Sequence, residues 1–279
     1  MQTFTLMETT KPPDIDKLAN IASCNCEPLY LSPIDRLGDH DASKSNATLT
    51  YVRYRDELFG ITCAHVFDFQ FGDHERGACI LGVFAAGISY QFTHPSFPGF
   101  HSHLRSLRQV RHQEAAEDIA VVRLSSLFEE KHMRPKNKVA IDLDAWEAPN
   151  WSAIQTCVAA GFPTEHKIQS RRTVTAQPMF AVAELTRKLD PAEGIFALCS
   201  TIENRGDYFL SGMSGGPAYC MHSNDTLTLL GIVFEGTPGS SAEWRKRSDE
   251  SIFSKDDVYF RITTLTPEIF KNWLDLIER

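Results

Sequence analysis

The sequence predicts an all-β protein that ends in one α-helix. Short runs of apolar and β-branched residues recur along the chain, turn signals separate them, and only the last segment has a long helical pattern. Many short strands with turns between them are typical of antiparallel sandwiches and barrels rather than of a parallel sheet. Strands are predicted at 47–54, 58–64, 79–84, 88–93, 119–124, 153–163, 172–185, 194–202, 227–236 and 257–263.

Polar segments divide these strands into groups. The first two strands form a predicted hairpin, because the polar residues 55–57 separate them. Residues 129–138, "EEKHMRPKNK", are polar and contain a proline, which predicts a linker or a surface crossing. Residues 1–44 are left as an N-terminal segment of uncertain structure.

The terminal helix has clear start signals. Thr266 is suited to cap it, Pro267 to its first position, and Glu268 to the positive end of the helix dipole. Five apolar residues then share one face at helical spacing, so the helix is expected to pack on the body of the protein. They are Ile269, Phe270, Trp273, Leu274 and Ile277.

Composition and charge argue against several classes of partner. A net charge of −8 gives no electrostatic reason to bind nucleic acid or an anionic membrane. No apolar run is long enough to cross a membrane. The first residues have neither a basic start nor an apolar core, so the expectation is a cytoplasmic protein. The seven cysteines are then expected to be reduced, buried and small hydrophobic residues.

The segment "LSGMSGGPAYC" (210–220) surrounds Ser214 with glycines. Glycine costs conformational entropy, so three of them near one hydroxyl indicate a backbone that must bend or be approached closely. A serine becomes a nucleophile when a base takes its proton and N–H groups stabilise the resulting oxyanion. His65 in "ITCAHVF" and Asp118 in "EDIAVVRL" are suitable base and orienting residues, at the end of one strand and the start of another.

These three segments together resemble the signatures of the trypsin/chymotrypsin-like serine proteases. "ITCAHV" resembles the histidine motif, "EDIAVVRL" the aspartate motif and "GMSGGP" the nucleophile motif, in the same order along the chain. "VAAGFP", "GIVFEG" and "DVYFRIT" resemble later strands of that family. The resemblance covers about residues 45–279. It implies two antiparallel six-stranded Greek-key barrels, at 45–135 and 150–265, and a C-terminal helix at 266–279.

The resemblance also implies roles for individual residues. Ser214 would be the nucleophile, His65 the general base and acid, and Asp118 the residue that orients His65. The backbone N–H groups of Gly212 and Ser214 would form the oxyanion hole. The implied activity is a serine endopeptidase acting on proteins or peptides through an acyl-enzyme, with no metal and no cofactor.

Departures from the family pattern concern activation and specificity. Met213 replaces the aspartate of the nucleophile motif and no "IVGG"-like segment precedes the first barrel, so activation by N-terminal clipping is not expected. Asp257 would give the specificity pocket a negative wall and a preference for Lys or Arg, with a solvated turn residue as the alternative. The implied substrate-binding residues are Tyr208, Phe234, Glu235, Gly236 and Asp257.

Two other functions are compatible with parts of this pattern. A catalytically silent protease fold that docks a protein partner is the main alternative, and a dedicated regulatory or target protein stays open as a partner. An esterase is disfavoured, because its elbow motif follows a parallel strand and its Asp precedes its His in the chain. The histidines at 94, 101 and 103 are taken as surface residues, since no carboxylate or cysteine shares their spacing.

Overall fold

The structure is a computed structural model that describes two strand-rich regions and a terminal helix. Described residues are 14–33, 46–66, 79–85, 88–92, 104–106, 118–170, 173–186, 194–201, 210–222, 224, 226–238 and 257–277. No helix in this part of the chain is long and apolar enough to cross a membrane.

The N-terminal region is an eight-stranded sheet with a helix before it. Its strands are ordered β5-β4-β1-β2-β3-β7-β6, and β8 pairs with β2 in parallel. The elements are α1 (Ile15–Cys24), β1 (Cys26–Pro33), β2 (Asn46–Tyr54), β3 (Glu57–Thr62), β4 (Cys79–Ala85), β5 (Ile88–Phe92), β6 (Leu104–Ser106), β7 (Ala120–Leu124) and β8 (Ile141–Asp142). In the described residues this sheet is an open path from β5 to β6, so a second closed barrel is not shown.

The C-terminal region contains a closed six-stranded barrel, ordered β12-β13-β16-β15-β14-β9. A separate two-stranded ribbon pairs β10 with β11. The strands are β9 (Thr156–Gly161), β10 (Lys167–Ser170), β11 (Thr173–Ala176), β12 (Met179–Leu185), β13 (Ile195–Thr201), β14 (Pro217–Met221), β15 (Leu227–Pro238) and β16 (Asp257–Thr264). The prediction of a mostly β protein with a barrel is thus confirmed.

The terminal helix, which we label α3 (Pro267–Ile277), is also confirmed. Thr266 caps it, since its Oγ1 accepts from the N–H of Ile269 at 3.2 Å. Phe270 packs edge-on against Phe59 of the N-terminal sheet, with ring centroids 5.2 Å apart. Phe270 and Trp273 share one apolar cluster with Ile232 of β15, so α3 lies across both regions.

The structure defines elements in the N-terminal segment and in the stretch predicted to be a linker or a surface crossing. α1 and β1 form within the N-terminal segment of uncertain structure, and β1 pairs with both β2 and β4. Residues 129–138 contain a π-helical turn (Glu129–Met133) and a 3-10 turn (Arg134–Lys136), and most of them lie at the surface. A short α2 (Ser126–Phe128) precedes them. The prediction of a linker at 129–138 is wrong because His132 and Met133 are buried in this segment.

The predicted hairpin between β2 and β3 is confirmed, with a tighter turn. Arg55 and Asp56 have φ of 50° and 62°, and Tyr54 pairs with Glu57. Two successive residues with positive φ are the signature of a type I′ hairpin turn, whose twist matches that of the strands.

Candidate active site

His65 and Asp118 form a close pair at the edge of the N-terminal sheet. His65 follows β3, and Asp118 lies two residues before β7, which pairs with β3. One Asp118 oxygen accepts from the backbone N–H of His65 at 2.8 Å, and the other lies 2.6 Å from His65 Nδ1. The side chains are 43% and 13% exposed, respectively. Asp118 therefore fixes both the position and the ring orientation of a histidine that solvent can still reach.

A buried thiol lies beside this pair. The ligand atoms of Cys63, His65 and Asp118 all lie within 4.8 Å of one another, and Cys63 is 0% exposed. The Cys63 thiol donates to the carbonyl oxygen of Val233 at 3.2 Å. Because both Asp118 oxygens contact His65, we interpret the group as a His–Asp pair with a packed cysteine. Nothing in the sequence pattern had singled out Cys63.

Ser214 lies in a loop whose glycines have conformations that other residues rarely adopt. Gly212 has a φ of 99° and Gly215 a φ of 90°. A Cβ at Gly215 would overlap the carbonyl oxygen of Thr48, and one at Gly216 would overlap that of Ala160. The glycines are therefore required for the turn and for close packing behind Ser214, as the sequence analysis predicted.

Thr48 of β2 anchors this loop through its N–H and its hydroxyl, and its other bonds tie it to neighbouring strands. Its N–H donates to the carbonyl of Ser214 at 2.8 Å, and its hydroxyl donates to the carbonyl of Gly212 at 2.7 Å. The same hydroxyl accepts from the N–H of Phe162 at 3.0 Å, and the Thr48 carbonyl accepts from the Thr62 hydroxyl at 2.9 Å. Thr48 is 0% exposed, so no water replaces these bonds. A strand of the N-terminal sheet thus positions the serine loop of the barrel.

Thr50, two residues further along β2, adds a second anchor. Its hydroxyl donates to the carbonyl of Gly215 at 2.6 Å, and the residue is fully buried. Sequence reasoning missed both threonines, since "ATLTYV" has only the alternation of an ordinary strand. Their role becomes visible only when the two regions are placed together.

The carbonyl of Val233 joins the histidine strand to the serine loop. It accepts from the N–H of Gly215, next to Ser214, at 2.7 Å. It also accepts from the thiol of Cys63, two residues before His65, at 3.2 Å. Because one oxygen contacts both segments, the predicted base and the predicted nucleophile lie on backbone that meets at β15.

The Ser214 hydroxyl itself donates to the carbonyl of Phe234 at 3.2 Å. Among the described residues it makes no hydrogen bond to His65. The Ser214 side chain thus lies in a rotamer directed at β15.

The predicted oxyanion hole has open donors. Among the described residues, no carbonyl accepts from the backbone N–H of Gly212 or of Ser214. The N–H groups of the two residues that flank Ser214 already have acceptors, because Met213 donates to the carbonyl of Leu210 and Gly215 to that of Val233. Two alternate N–H groups left without acceptors are the arrangement that an oxyanion site needs.

Four of the predicted substrate-binding residues fall into two groups. Tyr208 lies outside the described residues. Phe234, Glu235 and Gly236 lie on β15, where Arg261 binds Glu235 at 3.0 Å and covers the Phe234 ring at 4.9 Å.

Asp257 differs from the solvated turn residue that was considered as its alternative. It begins β16, is 8% exposed and accepts from the Thr201 hydroxyl at 2.9 Å. That alternative is wrong, because strand pairing buries the residue.

A second histidine–carboxylate pair lies inside the N-terminal region. Glu27 of β1 binds His132 Nε2 at 3.0 Å, accepts from the Tyr51 hydroxyl at 2.7 Å and contacts Lys136. The side chains of His132 and Glu27 are 0% and 3% exposed. Burial would raise the pKa of Glu27, but the hydrogen bond from His132 and the charge of Lys136 outweigh it, so the pKa is lowered.

Burial also raises the pKa of thiols elsewhere in the structure. It raises the pKa of Cys26 and of Cys157 to about 12 each. Cys24, Cys26, Cys63, Cys157, Cys199 and Cys220 are free cysteines.

Comparison with known proteins gives one structural similarity. A scan against protein-family models found no family that matches this chain, and a search of curated proteins found no significant match. Among solved structures the chain is similar to the thermostable serine protease AL20 from an extremophilic microorganism, with 11% sequence identity. The alignment covers 93% of this chain and 99% of that one, with a TM-score of 0.45. At this level of similarity, any functional argument depends on the site residues themselves.

Proposed function

We propose that this chain is a serine endopeptidase that uses Ser214, His65 and Asp118. The observation that carries the proposal is the Val233 carbonyl, which joins the backbone of the Ser214 loop to Cys63, two residues before His65. Three distant segments of the sequence are thereby brought to one place, with an oriented histidine and two open N–H donors. This combination supports acyl transfer more directly than any single motif does.

The proposed reaction follows from these groups. His65 Nε2 takes the proton of Ser214 as Oγ attacks the carbonyl carbon of the substrate, and Asp118 stabilises the charged ring. The N–H groups of Gly212 and Ser214 bind the oxyanion. The tetrahedral intermediate expels the amine, which receives the proton from His65. Water then attacks the acyl-enzyme with His65 as base, releasing the acid and restoring Ser214.

One side-chain rotation is required before the first step. The Ser214 hydroxyl must leave the Phe234 carbonyl and turn towards His65 Nε2. The hydrogen bond between a nucleophile and its base is often absent in a free enzyme and forms in the complex with substrate. Because Thr48, Thr50 and Val233 hold the backbone of the loop, we expect χ1 of Ser214 to change while the loop stays in place.

The finer parts of the proposal concern fold, specificity and location. We propose that the N-terminal sheet corresponds to the first of two six-stranded barrels. We further propose that Tyr208 and Asp257 line the specificity pocket, with buried Asp257 favouring Lys or Arg. A protein or peptide is the substrate. The free cysteines support action in a reducing compartment such as the cytoplasm.

Labelling with a fluorophosphonate tests the proposal. The reagent forms a covalent bond with an activated serine, so wild-type protein should be labelled at Ser214 and the Ser214→Ala variant should not. Cys63→Ala is the matched control, because it alters the same site without removing the nucleophile. Folded wild-type protein that is not labelled would contradict the proposed enzymatic activity. It would favour a catalytically silent protease fold that docks a protein partner.

A further inference from the structure

Asn25, the residue that ends α1, binds parts of both regions through its four polar groups. Its N–H donates to the carbonyl of Ala22, and its carbonyl accepts from the N–H of Tyr51 at 2.8 Å. Its side-chain Nδ2 donates to the carbonyl of Val139 at 2.9 Å, and Oδ1 accepts from the Tyr219 hydroxyl at 3.0 Å. Asn25 and Tyr219 are both buried. The side chain of Asn25 thus joins the end of α1 to the barrel, and its backbone joins α1 to β2.

The contact with Tyr51 leads to the serine loop, residues 210–216, from the N-terminal sheet. Tyr51 lies on β2 directly after Thr50, whose hydroxyl donates to a carbonyl of the loop at 2.6 Å. Thr48 of the same strand also binds the loop, through its N–H and its hydroxyl. Because these residues follow one another along a paired strand, the bond to Asn25 helps to fix where both threonines hold the loop.

The contact with Tyr219 leads to the same loop from the barrel. Tyr219 lies on β14, which begins at Pro217, directly after the serine loop. The pairing of β14 with β15 shifts register between Ala218 and Tyr219. A register shift interrupts the ladder of backbone hydrogen bonds. The side-chain bond to Asn25 therefore restrains β14 at a point where its backbone pairing is irregular.

From these contacts we propose that Asn25 is a positioning residue for the proposed reaction, because it fixes β2 and β14, the two strands to which the serine loop is attached. The inference rests on the proposed function, in which the N–H groups of Gly212 and Ser214 bind the oxyanion. Such donors stabilise the transition state only when they lie at the position where the negative charge forms. A misplacement of about 1 Å, caused by a change far from the chemistry, can lower a rate by about a hundredfold.

The same contacts make α1 part of the framework of the site. Leu18 and Ala22 of α1 are fully buried, and Ala22 shares an apolar cluster with Tyr219. Asn25 is in turn fixed by the end of the helix, through its bond to Ala22. Displacement of α1 should therefore lower activity, so the N-terminal helix acts as an internal activator of the site rather than as an inhibitor.

The Tyr219→Phe variant tests the contact, because it removes the hydroxyl that donates to Asn25 and keeps the ring. The measurement is the rate of fluorophosphonate labelling at several reagent concentrations. We expect the maximal rate to fall by about three- to tenfold, the loss expected for one neutral hydrogen bond. The concentration that gives half the maximal rate should stay within about twofold of wild type, because oxyanion donors act mainly in the transition state.

Tyr51→Phe is the matched control. It also loses one buried hydroxyl contact, that with Glu27 at 2.7 Å, but keeps the backbone N–H that binds Asn25. It should therefore lower the free energy of unfolding and leave the labelling rate of the folded protein as in wild type. Equal labelling rates in Tyr219→Phe and Tyr51→Phe would overturn the proposal, because the Tyr219 hydroxyl would then have no effect on the site beyond that of any buried hydroxyl.

Asn25→Ala, alone and combined with Tyr219→Phe, shows whether the two residues act as one unit. The single variant loses its bonds to Tyr219 and Val139, so its labelling should slow at least as much as in Tyr219→Phe. Adding Tyr219→Phe should then cause little further loss, since the hydroxyl has already lost its partner. Losses that multiply in the double variant would show two independent effects and contradict the proposal.

Amide hydrogen exchange tests the coupling without the reaction, in protein that carries Ser214→Ala. Mass spectrometry of peptides that cover 210–221 should show exchange at least about threefold faster with Tyr219→Phe, and a smaller change with Tyr51→Phe. This result supports the coupling even where wild-type protein is not labelled, in which case the proposed function alone fails. Unchanged exchange and unchanged labelling in Tyr219→Phe, with wild-type protein labelled, would overturn this inference alone.

Discussion

Two histidine–carboxylate pairs occur in this chain, His65–Asp118 and His132–Glu27, and their environments differ. The two pairs have similar closest N–O distances, 2.6 Å and 3.0 Å. The side chain of His65 is 43% exposed, whereas that of His132 is 0% exposed. Asp118 contacts the backbone and the ring of one residue, whereas Glu27 also contacts Tyr51 and Lys136.

The comparison shows why the pair alone does not define a catalytic site. Glu27 has its acceptor capacity filled by three side chains, and no reactant has access to His132. The His65 side chain is 43% exposed, and a loop with two open N–H groups meets the segment before His65 at the carbonyl of Val233. The buried pair is therefore a stability element, and the accessible pair is the candidate for catalysis.

The largest expected difference between the pairs is in activity. Ser214→Ala or His65→Ala should lower kcat by about 10⁴- to 10⁶-fold, since residues of a triad act as a unit. The free energy of unfolding should change by less than about 1 kcal/mol, because both side chains are partly exposed. Peptide hydrolysis and urea unfolding measure the two quantities. Equal activity in His65→Ala and wild type would show that the accessible pair is not catalytic.

The buried pair should show the opposite pattern. Glu27→Gln removes the charge that Lys136 and His132 contact, and should cost about 3 kcal/mol of stability, as for other broken buried ion pairs. The kcat of the remaining folded enzyme should stay within about twofold of wild type. Loss of activity without loss of stability would contradict the structural role of Glu27.

Acid should remove the contribution that ionised Glu27 makes to the free energy of unfolding. Its pKa is lowered from 4.5, so the unfolded state binds a proton more readily than the folded state. The stabilisation is complete above the unfolded pKa and is lost as pH falls through the lower folded pKa. The stability difference between wild type and Glu27→Gln should therefore shrink below about pH 4.5. A difference that grows in acid would reverse the direction of the shift.

A smaller effect is expected from the anchor of the serine loop. Thr48→Val retains the shape and the backbone N–H but removes the hydroxyl that binds Gly212 and Phe162. The oxyanion loop should loosen, lowering kcat by about tenfold with little change in KM, since a slightly misplaced donor weakens transition-state binding. Thr48→Ser should restore most of the activity. An equal loss in both variants would indicate a packing effect rather than the hydroxyl.

Cys63 should give the smallest effect. Its thiol is fully buried, so it cannot reach a substrate, and Cys63→Ala should reduce activity only a few-fold through altered packing. Retained phosphonate labelling in this variant separates a serine nucleophile from a cysteine nucleophile. Complete loss of hydrolysis in folded Cys63→Ala would mean that the site includes a fourth essential side chain beside Ser214, His65 and Asp118.

Local patterns predicted much of this structure, and long-range contacts account for what was missed. The turn at 55–56, the α3 cap at Thr266 and the Ser214 loop each depend on residues close in sequence. The site also depends on contacts from distant parts of the chain, made by Thr48, Cys63 and Val233. The alternation of apolar and polar residues in their strands is that of ordinary core strands, so it does not reveal these contacts. The segment 129–138 was mistaken for a surface linker, because its polar residues include a histidine and a lysine that bind buried Glu27.

A crystal structure of the protein with a phosphonate on Ser214 would test the central claim most directly. The account predicts that Oγ leaves the Phe234 carbonyl and comes within about 3.2 Å of His65 Nε2, with the phosphonyl oxygen bound by the N–H groups of Gly212 and Ser214. It also predicts that the bonds from Thr48 to the loop are unchanged. An adduct at another residue, or an Oγ that stays beyond hydrogen-bond reach of His65, would contradict the account.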